Sequence, residues 1–409
     1  MALALEGIKV VDVSQVAAVP MAARHLADFG ADVIHVENAT TGDSWRDYQA
    51  GIGVGTNGAP SDINYNWENY NRNKRSIAID LSLDGGREII RKLTKNADVF
   101  VTNLRLYERQ KFGLEYPVLR ELNPRLIYGS LTGYGKEGPD KNAPAYDATA
   151  YWARSGIPHV LSMPGMPALG FRPAFGDNVT ALALAFGIMM ALFARERSGV
   201  GQEVDVSLFH TGIYQISFDI AGALVTGRDY EDWMLRSRDD TPNALALAYQ
   251  TKDGRLISLV LLQPDRYWSR FCKAVGRADL EHDPRFESFE PRIQNHAVLI
   301  HILDEVFRSK TLAEWKPRLD EAGIPWSPIQ NLMEVISDPQ ARANDIFVPF
   351  DHPAYGRIEV VANPVTLSKT PPNIRMPAPE FGEHTEEVLL ELGYTWEDIE
   401  QFKQQAVIV

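Results

Sequence analysis

Strand-like and helix-like segments alternate through the opening third of the chain, and this alternation leaves few folds open. "GIKVVDV" is a short β-branched run of the kind that forms a buried strand. "VPMAARHLADFG" follows as an amphipathic helix with a closing glycine, Gly30, and "ADVIHVE" is again a strand. The pattern continues with "RSIAIDL", the helix "LDGGREIIRKLTKNA", "DVFVTNL", a helix near Tyr116 to Leu122, and "RLIYGSL". Strands separated by helices pair in parallel with the helices laid on the sheet faces. The expected fold class is therefore α/β, with a mostly parallel, doubly wound sheet.

Such a sheet often binds a dinucleotide, but the signature is missing. "SQVAAVP" follows the first strand and contains no G-x-G-x-x-G, so nicotinamide and flavin binding have no support. No Walker-type loop occurs. The nine histidines show no metal-ligand spacing such as H-E-x-x-H, and no metal is expected.

After "RERSGVGQEVDVSLFH" a second long helix is expected through Ile213 to Leu224. "RDYEDWMLRSRDDTPNA" is charged and irregular. "LALAYQTKDGRLISLVLL" reads as a β-hairpin turning at Asp253-Gly254. Helices are expected over Pro264 to Val275, Arg292 to Phe307 and Leu312 to Ala322, which together make a smaller α+β domain. "GRIEVVANPVTLS" is a late strand, and "GEHTEEVLLELGYTWEDIEQF" a closing helical pair.

Composition narrows the partners. A net charge of −13 and a pI near 5.2 give no electrostatic case for nucleic acid or anionic membranes. "MALALEGIKVVDVSQ" has no basic leader and does not read as a signal peptide. The longest apolar run, Ala181 to Ala194, is 14 residues, short for a bilayer span. The single cysteine, Cys272, cannot form an internal disulfide; it sits at core spacing with Trp268, Phe271 and Val275. A cytoplasmic location is the expectation.

One acid stands out. Asp177, in "RPAFGDNVTALALAFGIMMALFARERSG", precedes the apolar run. It reads either as a helix N-cap or as a functional carboxylate kept ionised by a helix N-terminus. Thr180 stands where the acidic partner of a capping box would be. Locally the cap is the simpler reading.

Several stretches, in order and over nearly the whole chain, resemble one family. They include "GIKVVDVSQVAAVPMAARHLADFGADVIHVE", "NRNKRSIAIDL", "DVFVTNL", "FGLEYPVLRELNPRLIYGSLTGYGKEGP", "FGDNVTALALAFGIMMALFARERSGVGQEVDVSL", "AGIPWSPIQ", "SDPQARAND" and "GEHTEEVLLELG". Together they resemble the class III CoA-transferases, the formyl-CoA transferase or carnitine-dehydratase-like family. The resemblance implies a large Rossmann-like domain formed by both chain ends, a small domain, and an open ring-shaped subunit interlocked with a second in a dimer. On that plan residues 1–200 form the large domain, 201–232 a linker helix, 233–330 the small domain, 331–355 a return linker and 356–409 the C-terminal part of the large domain. It also implies that CoA, as co-substrate and not as a permanently bound cofactor, moves from an acyl-CoA to a free carboxylic acid.

The family's nucleophile is the aspartate of a Gly-Asp pair opening a long apolar helix, here Gly176-Asp177. Gly176 would allow close approach to the reacting carbonyl. The CoA contacts carried over are Gln15, Val16, Ala17 and Ala18 after the first strand, Asn71, Arg72, Asn73 and Lys74 in "NRNK", Asn103, Leu104 and Arg105 in "TNLR", Lys111, and Tyr146 and Asp147 in "AYD". Taken alone, "NRNK" is a solvated turn before a strand, and Asp147 a helix cap. Asn38, Ala17 and Pro144 replace residues of the oxalate-handling branch, and that branch's glycine run is missing, which argues against formyl or oxalyl substrates. The resemblance is nearest the branch acting on aryl-bearing or hydroxylated acids such as phenyllactate or benzylsuccinate, with a succinyl-type or aryl-acyl donor. Tyr151, Trp152, Arg154 and Trp233 either supply an aromatic wall and a countercharge or are packing and surface residues, the simpler reading for any one of them. Aliphatic dicarboxylate exchange is the alternative acceptor class. A racemase of this fold would need a histidine where Tyr146 stands, and a neutral phenol is a poor α-proton base. A silent subunit would be free to lose the Gly-Asp pair that is kept here. The dimer is expected to be of like subunits, with a related second subunit as the alternative.

Overall fold

The computed structural model describes residues 2–46, 63–162, 169–229 and 237–409. They fall into two compact units. The larger takes the chain up to Leu161, the stretch ending at Gly227 and the segment Asp345–Val409; the smaller takes Arg228–Asn344.

The larger unit holds a six-stranded sheet of β1 (Lys9–Val13), β2 (Asp32–Asn38), β3 (Lys74–Ile79), β4 (Val99–Thr102), β5 (Ile127–Thr132) and β6 (Glu203–Ser207). The order is β3-β2-β1-β4-β5-β6 and every neighbouring pair is parallel. The strand order reverses between β1 and β4. At such a reversal the loops leaving adjacent carboxyl ends diverge to opposite faces and leave a crevice.

Helices connect the strands: α1 (Ala18–Asp28), α2 (Tyr65–Asn71), α3 (Asp84–Lys95), α4 (Leu106–Phe112), α5 (Tyr116–Leu122), α6 (Ile157–Leu161), α7 (Phe175–Ser198), α8 (Leu208–Gln215) and α9 (Ser217–Thr226). One core lies under α1 and α7 and includes Val10, Val101, Ile127, Leu184 and Ile188. The other lies under α3 and α5. It is closed by Val388, Leu389 and Ile399 from the helices Thr385–Glu391 and Trp396–Gln404. The two chain ends thus build one sheet-centred unit.

Three expectations about the sheet and its helices are corrected. β6 is the edge strand of the main sheet, so residues 203–207 are not linker. Its short alternating "EVDVS", mostly half-buried, hid it as a lead-in to a helix. The long helix expected through Ile213 to Leu224 breaks at Ile216 into α8 and α9. All eleven residues of α1 are buried, although its sequence reads as amphipathic. Polar residues tolerate that only with internal partners.

Those partners centre on Asp28. Arg24 binds its carboxylate at 2.6 Å, Arg72 at 3.1 Å and Asn73 Nδ2 at 2.8 Å, and Asn363 donates to it at 3.3 Å. Arg72 also donates to the Val361 carbonyl, and Asn73 holds Arg375 and Met376 through its side-chain oxygen. The cluster clasps the returning C-terminal chain onto α1.

α7 spans 24 residues and is apolar enough to cross a membrane by length and composition, longer than the 14-residue run suggests. Its inner face, Ala181, Leu184, Ile188 and Leu192, is buried against the sheet. It is a core helix of the larger unit.

The smaller unit has a three-stranded antiparallel sheet: β7 (Ala248–Gln250), β8 (Leu256–Leu259) and β9 (Trp326–Pro328). The β7–β8 hairpin turns where expected, with Gly254 at φ +75°. Helices Pro264–Val275, His296–Arg308 and Leu312–Ala322 cover it around Trp315, Phe307 and Phe271. Helices Leu332–Ser337 and Pro339–Ala343 also belong here, so the unit runs past 330 to Asn344. The late strand is β11 (Gly356–Val361), in a hairpin with β10 (Phe347–His352) and outside the main sheet.

Asp28→Ala leaves two guanidinium groups buried without their anion. It is expected to destabilise the protein by about 3–5 kcal/mol in urea unfolding; a loss under about 1 kcal/mol would show that the clasp is not a stability element.

Candidate active site

The loops leaving β1 and β4 are tied to each other at the strand-order reversal. Asn103 Nδ2 donates to the Gln15 carbonyl at 2.7 Å, and the Gln15 N–H donates to Asn103 Oδ1 at 3.1 Å. Beside this cross-link lies a cleft of about 400 Å³. Of the residues expected at a site, it brings together Gln15, Val16, Ala17, Ala18, Asn103, Leu104, Arg105, Tyr146, Asp147 and Asp177. A second cleft of about 470 Å³ shares Gln15, Leu104 and Glu108 with it and reaches the carboxyl ends of β2 and β3 at Asn38 and Ser82. Lys111 lines that one.

Asp177 is not a helix cap. α7 begins at Phe175, its N-cap is Ala174 in a left-handed conformation (φ +61°), and Asp177 is the third helical residue. The cap comes from Asp147, 29 residues earlier. Its carboxylate accepts the Gly176 N–H at 3.0 Å and faces the Phe175 and Asp177 N–H groups. Asp147 opens a π-helical turn, Asp147–Ala153, yet its side chain serves α7 and not its own helix. With the helix end satisfied elsewhere, the Asp177 carboxyl is left to the cleft.

The electrostatics differ from the expectation of a helix-stabilised anion. Burial, and then the neighbouring Asp147 charge, push Asp177 up to about 7. The helix-end N–H groups that would have lowered it are taken by Asp147. Burial likewise raises Asp147, against the backbone donors that lower it. The Tyr70 hydroxyl donates to Asn178 Oδ1 at 3.1 Å and is raised by burial and by the Asp177 charge. An acid titrating near neutrality is present as carboxylate in quantity and is a stronger nucleophile than an ordinary aspartate.

Gly176 has a steric reason of its own to be glycine. A Cβ there would sit 2.2 Å from Tyr151 Cγ and 2.5 Å from Asp147 Oδ1. The Tyr151 ring is fully buried beneath it. Thr180 fastens the same turn, donating to the Gly176 carbonyl at 2.8 Å and meeting Thr211 of α8 at 2.6 Å.

"NRNK" is folded inward. Asn71, Arg72, Asn73 and Lys74 are each at most 2% exposed and line neither cleft. Arg72 and Asn73 serve the Asp28 clasp. Lys74 Nζ binds Asp12 at 2.9 Å and Asn71 at 2.8 Å. As folded, neither cation is free for a phosphate. The proposed aromatic wall is also displaced. Tyr151 is core, Trp152 packs edge-on to Phe175 and donates to the Leu169 carbonyl, and Arg154 is paired with Asp140 at 2.7 Å. None of the three lines the cleft, and Trp233 lies outside the described residues.

Lys141 was not anticipated. It lines the cleft with an exposed side chain, five residues before Tyr146 in a loop of turn-forming residues. With Arg105 it puts cations at the cleft that holds Asp177. Among the described residues no cluster of His, Cys, Asp or Glu is placed to hold a metal.

Gly176→Ala must displace Tyr151 or Asp147. It is expected to lower stability by about 1–3 kcal/mol in denaturant unfolding; unchanged stability would show that this contact is not tight.

The sequence profile of CoA-transferase family III matches residues 5–385. The chain is 36% identical to (R)-2-hydroxy-4-methylpentanoate CoA-transferase of Clostridioides difficile, over 99% of each protein. It is 32% identical to cinnamoyl-CoA:phenyllactate CoA-transferase of Clostridium sporogenes, over 98% of this chain and 97% of that one. Its fold is similar to the crystal structure of a CAIB/BAIF family protein from Brucella suis, with TM-score 0.82, 29% identity and coverage of 96% and 100%. The match along the chain, together with a carboxyl-edge cleft lined by Asp177, means that the protein belongs to CoA-transferase family III.

Proposed function

We propose that this CoA-transferase carries the acyl and CoA groups in turn on Asp177. The observation that carries the reading is the placement of Asp177: it lines the cleft and is relieved of capping by Asp147. Burial and the Asp147 charge also push its carboxyl up to about 7. A carboxylate oxygen of Asp177 attacks the thioester carbonyl of the donor. The C–S bond breaks, giving a mixed anhydride and CoA thiolate. The thiolate attacks the Asp177 carbonyl and expels the donor acid, leaving an aspartyl-CoA thioester. The acceptor carboxylate attacks that thioester, releasing thiolate and forming a second anhydride. The thiolate then takes the acceptor's acyl carbon and frees the Asp177 carboxylate.

The N-terminus of α1 supports the same reading. Ala17, with no side-chain cap, and Ala18 both line the cleft, and the first turn carries no acid. The free N–H groups of a first helical turn can steady the oxyanion formed at each step. The cleft beside Asp177 suits the pantetheine arm and the adjoining one the nucleotide end. Arg105, Lys111 and Lys141 are the cations for phosphate or carboxylate oxygens. Asn71, Arg72, Asn73 and Lys74 act from beneath, as structure.

The acceptor is read as a 2-hydroxy acid with an aryl or branched apolar side chain, by similarity to the two relatives named above. No histidine is among the described residues lining the cleft, which favours CoA transfer over α-proton transfer. The protein is further read as a dimer of interlocked copies. Phe186, Met190 and Phe193 on α7 and Phe218, Leu224 and Val225 on α9 are each at least half exposed, a surface that an apolar contact would cover.

Asp177→Ala and Asp177→Asn are expected to abolish transfer, and hydroxylamine added after an acyl-CoA should modify Asp177 in the wild-type protein. Turnover surviving either change, or no modification, overturns the covalent route. A panel of acyl-CoA donors and free acids read by mass spectrometry tests the acceptor class. The pH dependence is a second check. Only ionised Asp177 attacks, so kcat/KM falls as pH drops below about 7. Asp147→Asn removes the charge that helps raise it, and should move this acid limb to lower pH; an unmoved limb would show that Asp147 does not set it.

A further inference from the structure

The loop that leads from β1 into α1 is strained at its key residue. Val16 has φ +71°, a left-handed conformation that a β-branched residue rarely adopts. Its N–H is held by a single carboxylate. Asp43 Oδ1 accepts it at 3.0 Å and Oδ2 at 3.2 Å, and Oδ1 also accepts the Trp45 N–H at 2.9 Å. Asp43 is 2% exposed, and behind it runs a buried chain of charge. His35 Nε2 lies 3.5 Å from Asp43 Oδ2, and His35 Nδ1 is 2.9 Å from Asp12 Oδ2. Lys74 Nζ reaches the same Asp12 oxygen at 2.9 Å, and Ser14 Oγ donates to the other. Burial alone would lower the His35 pKa; the Asp12 carboxylate overrides it and raises the ring to about 9. His35 is thus a cation facing the Asp43 carboxylate across the loop's foundation.

Resting on the site reading above, we infer that Asp43 is a positioning residue. It pins the Val16 peptide in its left-handed turn, so that the first turn of α1 presents its N–H groups to the thioester attacked by Asp177. Asp43 itself touches no reacting atom. The turn directly precedes Ala17 and Ala18, which line the cleft with Asp177. A residue free to leave the turn would tilt these donors away. The inward-folded Lys74 acquires a role here through Asp12 and His35.

The test uses the full chain with the acyl-CoA donor and acid that it turns over best. Asp43→Ala should lower kcat roughly tenfold to a hundredfold, with KM for the donor much less affected, because the lost contact matters at the transition state. Asp43→Asn keeps an acceptor for Val16 and should lose less. Val16→Gly introduced into Asp43→Ala should restore most of kcat, since glycine takes the left-handed turn without a clamp. A lowered thermal midpoint with unchanged kcat, or a lowered kcat that Val16→Gly does not restore, overturns the inference. Should Asp43→Ala fail to fold, Asp43→Asn with and without Val16→Gly is read by the same criteria. Asp177→Ala is run alongside. Turnover surviving there overturns the site reading, whereas an inactive Asp177→Ala beside a fully active Asp43→Ala overturns only this inference.

Discussion

The bond from the Gly176 N–H to the Asp147 carboxylate sets the character of the site. A helix end must satisfy its first N–H groups, and an acid within the first turn ordinarily helps to do so. Had Asp177 served that need, its charge would be neutralised by the helix and its oxygens would be occupied. Asp147 meets the need from another element, and two consequences follow. The Asp177 carboxyl opens on the cleft, and it gains a negative neighbour in place of positive donors, which together with burial raises it to about 7. Gly176 is part of the same device, since a side chain there would collide with both Tyr151 and Asp147.

The sheet keeps a familiar plan but holds its first loop by a different device. Its strand order and crevice are those of doubly wound nucleotide-binding sheets. Those sheets use glycines to bring backbone close to a pyrophosphate. Here the first loop has Val16, Ala17 and Ala18, and its tight turn is held by Asp43 through a side-chain acceptor. Two cross-linked loops, from β1 and β4, then frame adjoining clefts at the carboxyl edge. Both clefts lie within the larger unit.

Local patterns revealed the strands and most helices because buried parallel strands are continuous β-branched runs. "VVDV" and "VFVT" cannot be read otherwise for long. β6 escaped because an edge strand is only partly buried and its alternation is short. The loop residues Gln15 to Ala18 and Asn103 to Arg105 and the acids Asp147 and Asp177, singled out by the resemblance, line one cleft. "NRNK" was misleading, because a basic stretch beside a strand looks solvated until its buried partners Asp28 and Asp12 are located on distant elements. The cap of α7 was invisible for the same reason: its acid is 29 residues away, and no periodicity links the two. Lys141 carries no local signal beyond its place in a turn-rich loop.

A covalent role for Asp177 requires it to exchange oxygen with the acids that are transferred. In the covalent route each acceptor carboxylate leaves one of its oxygens on the Asp177 carboxyl, and each departing donor acid removes one. Turnover of an acyl-CoA with heavy-oxygen-labelled (R)-2-hydroxy-4-methylpentanoate or phenyllactate, whichever is accepted, can be followed by mass spectrometry of the peptide bearing Asp177. Covalent transfer through Asp177 puts heavy oxygen in that carboxyl after turnover and in no other residue. Labelled acyl-CoA product formed while Asp177 stays unlabelled would mean direct transfer between the substrates, and would contradict it.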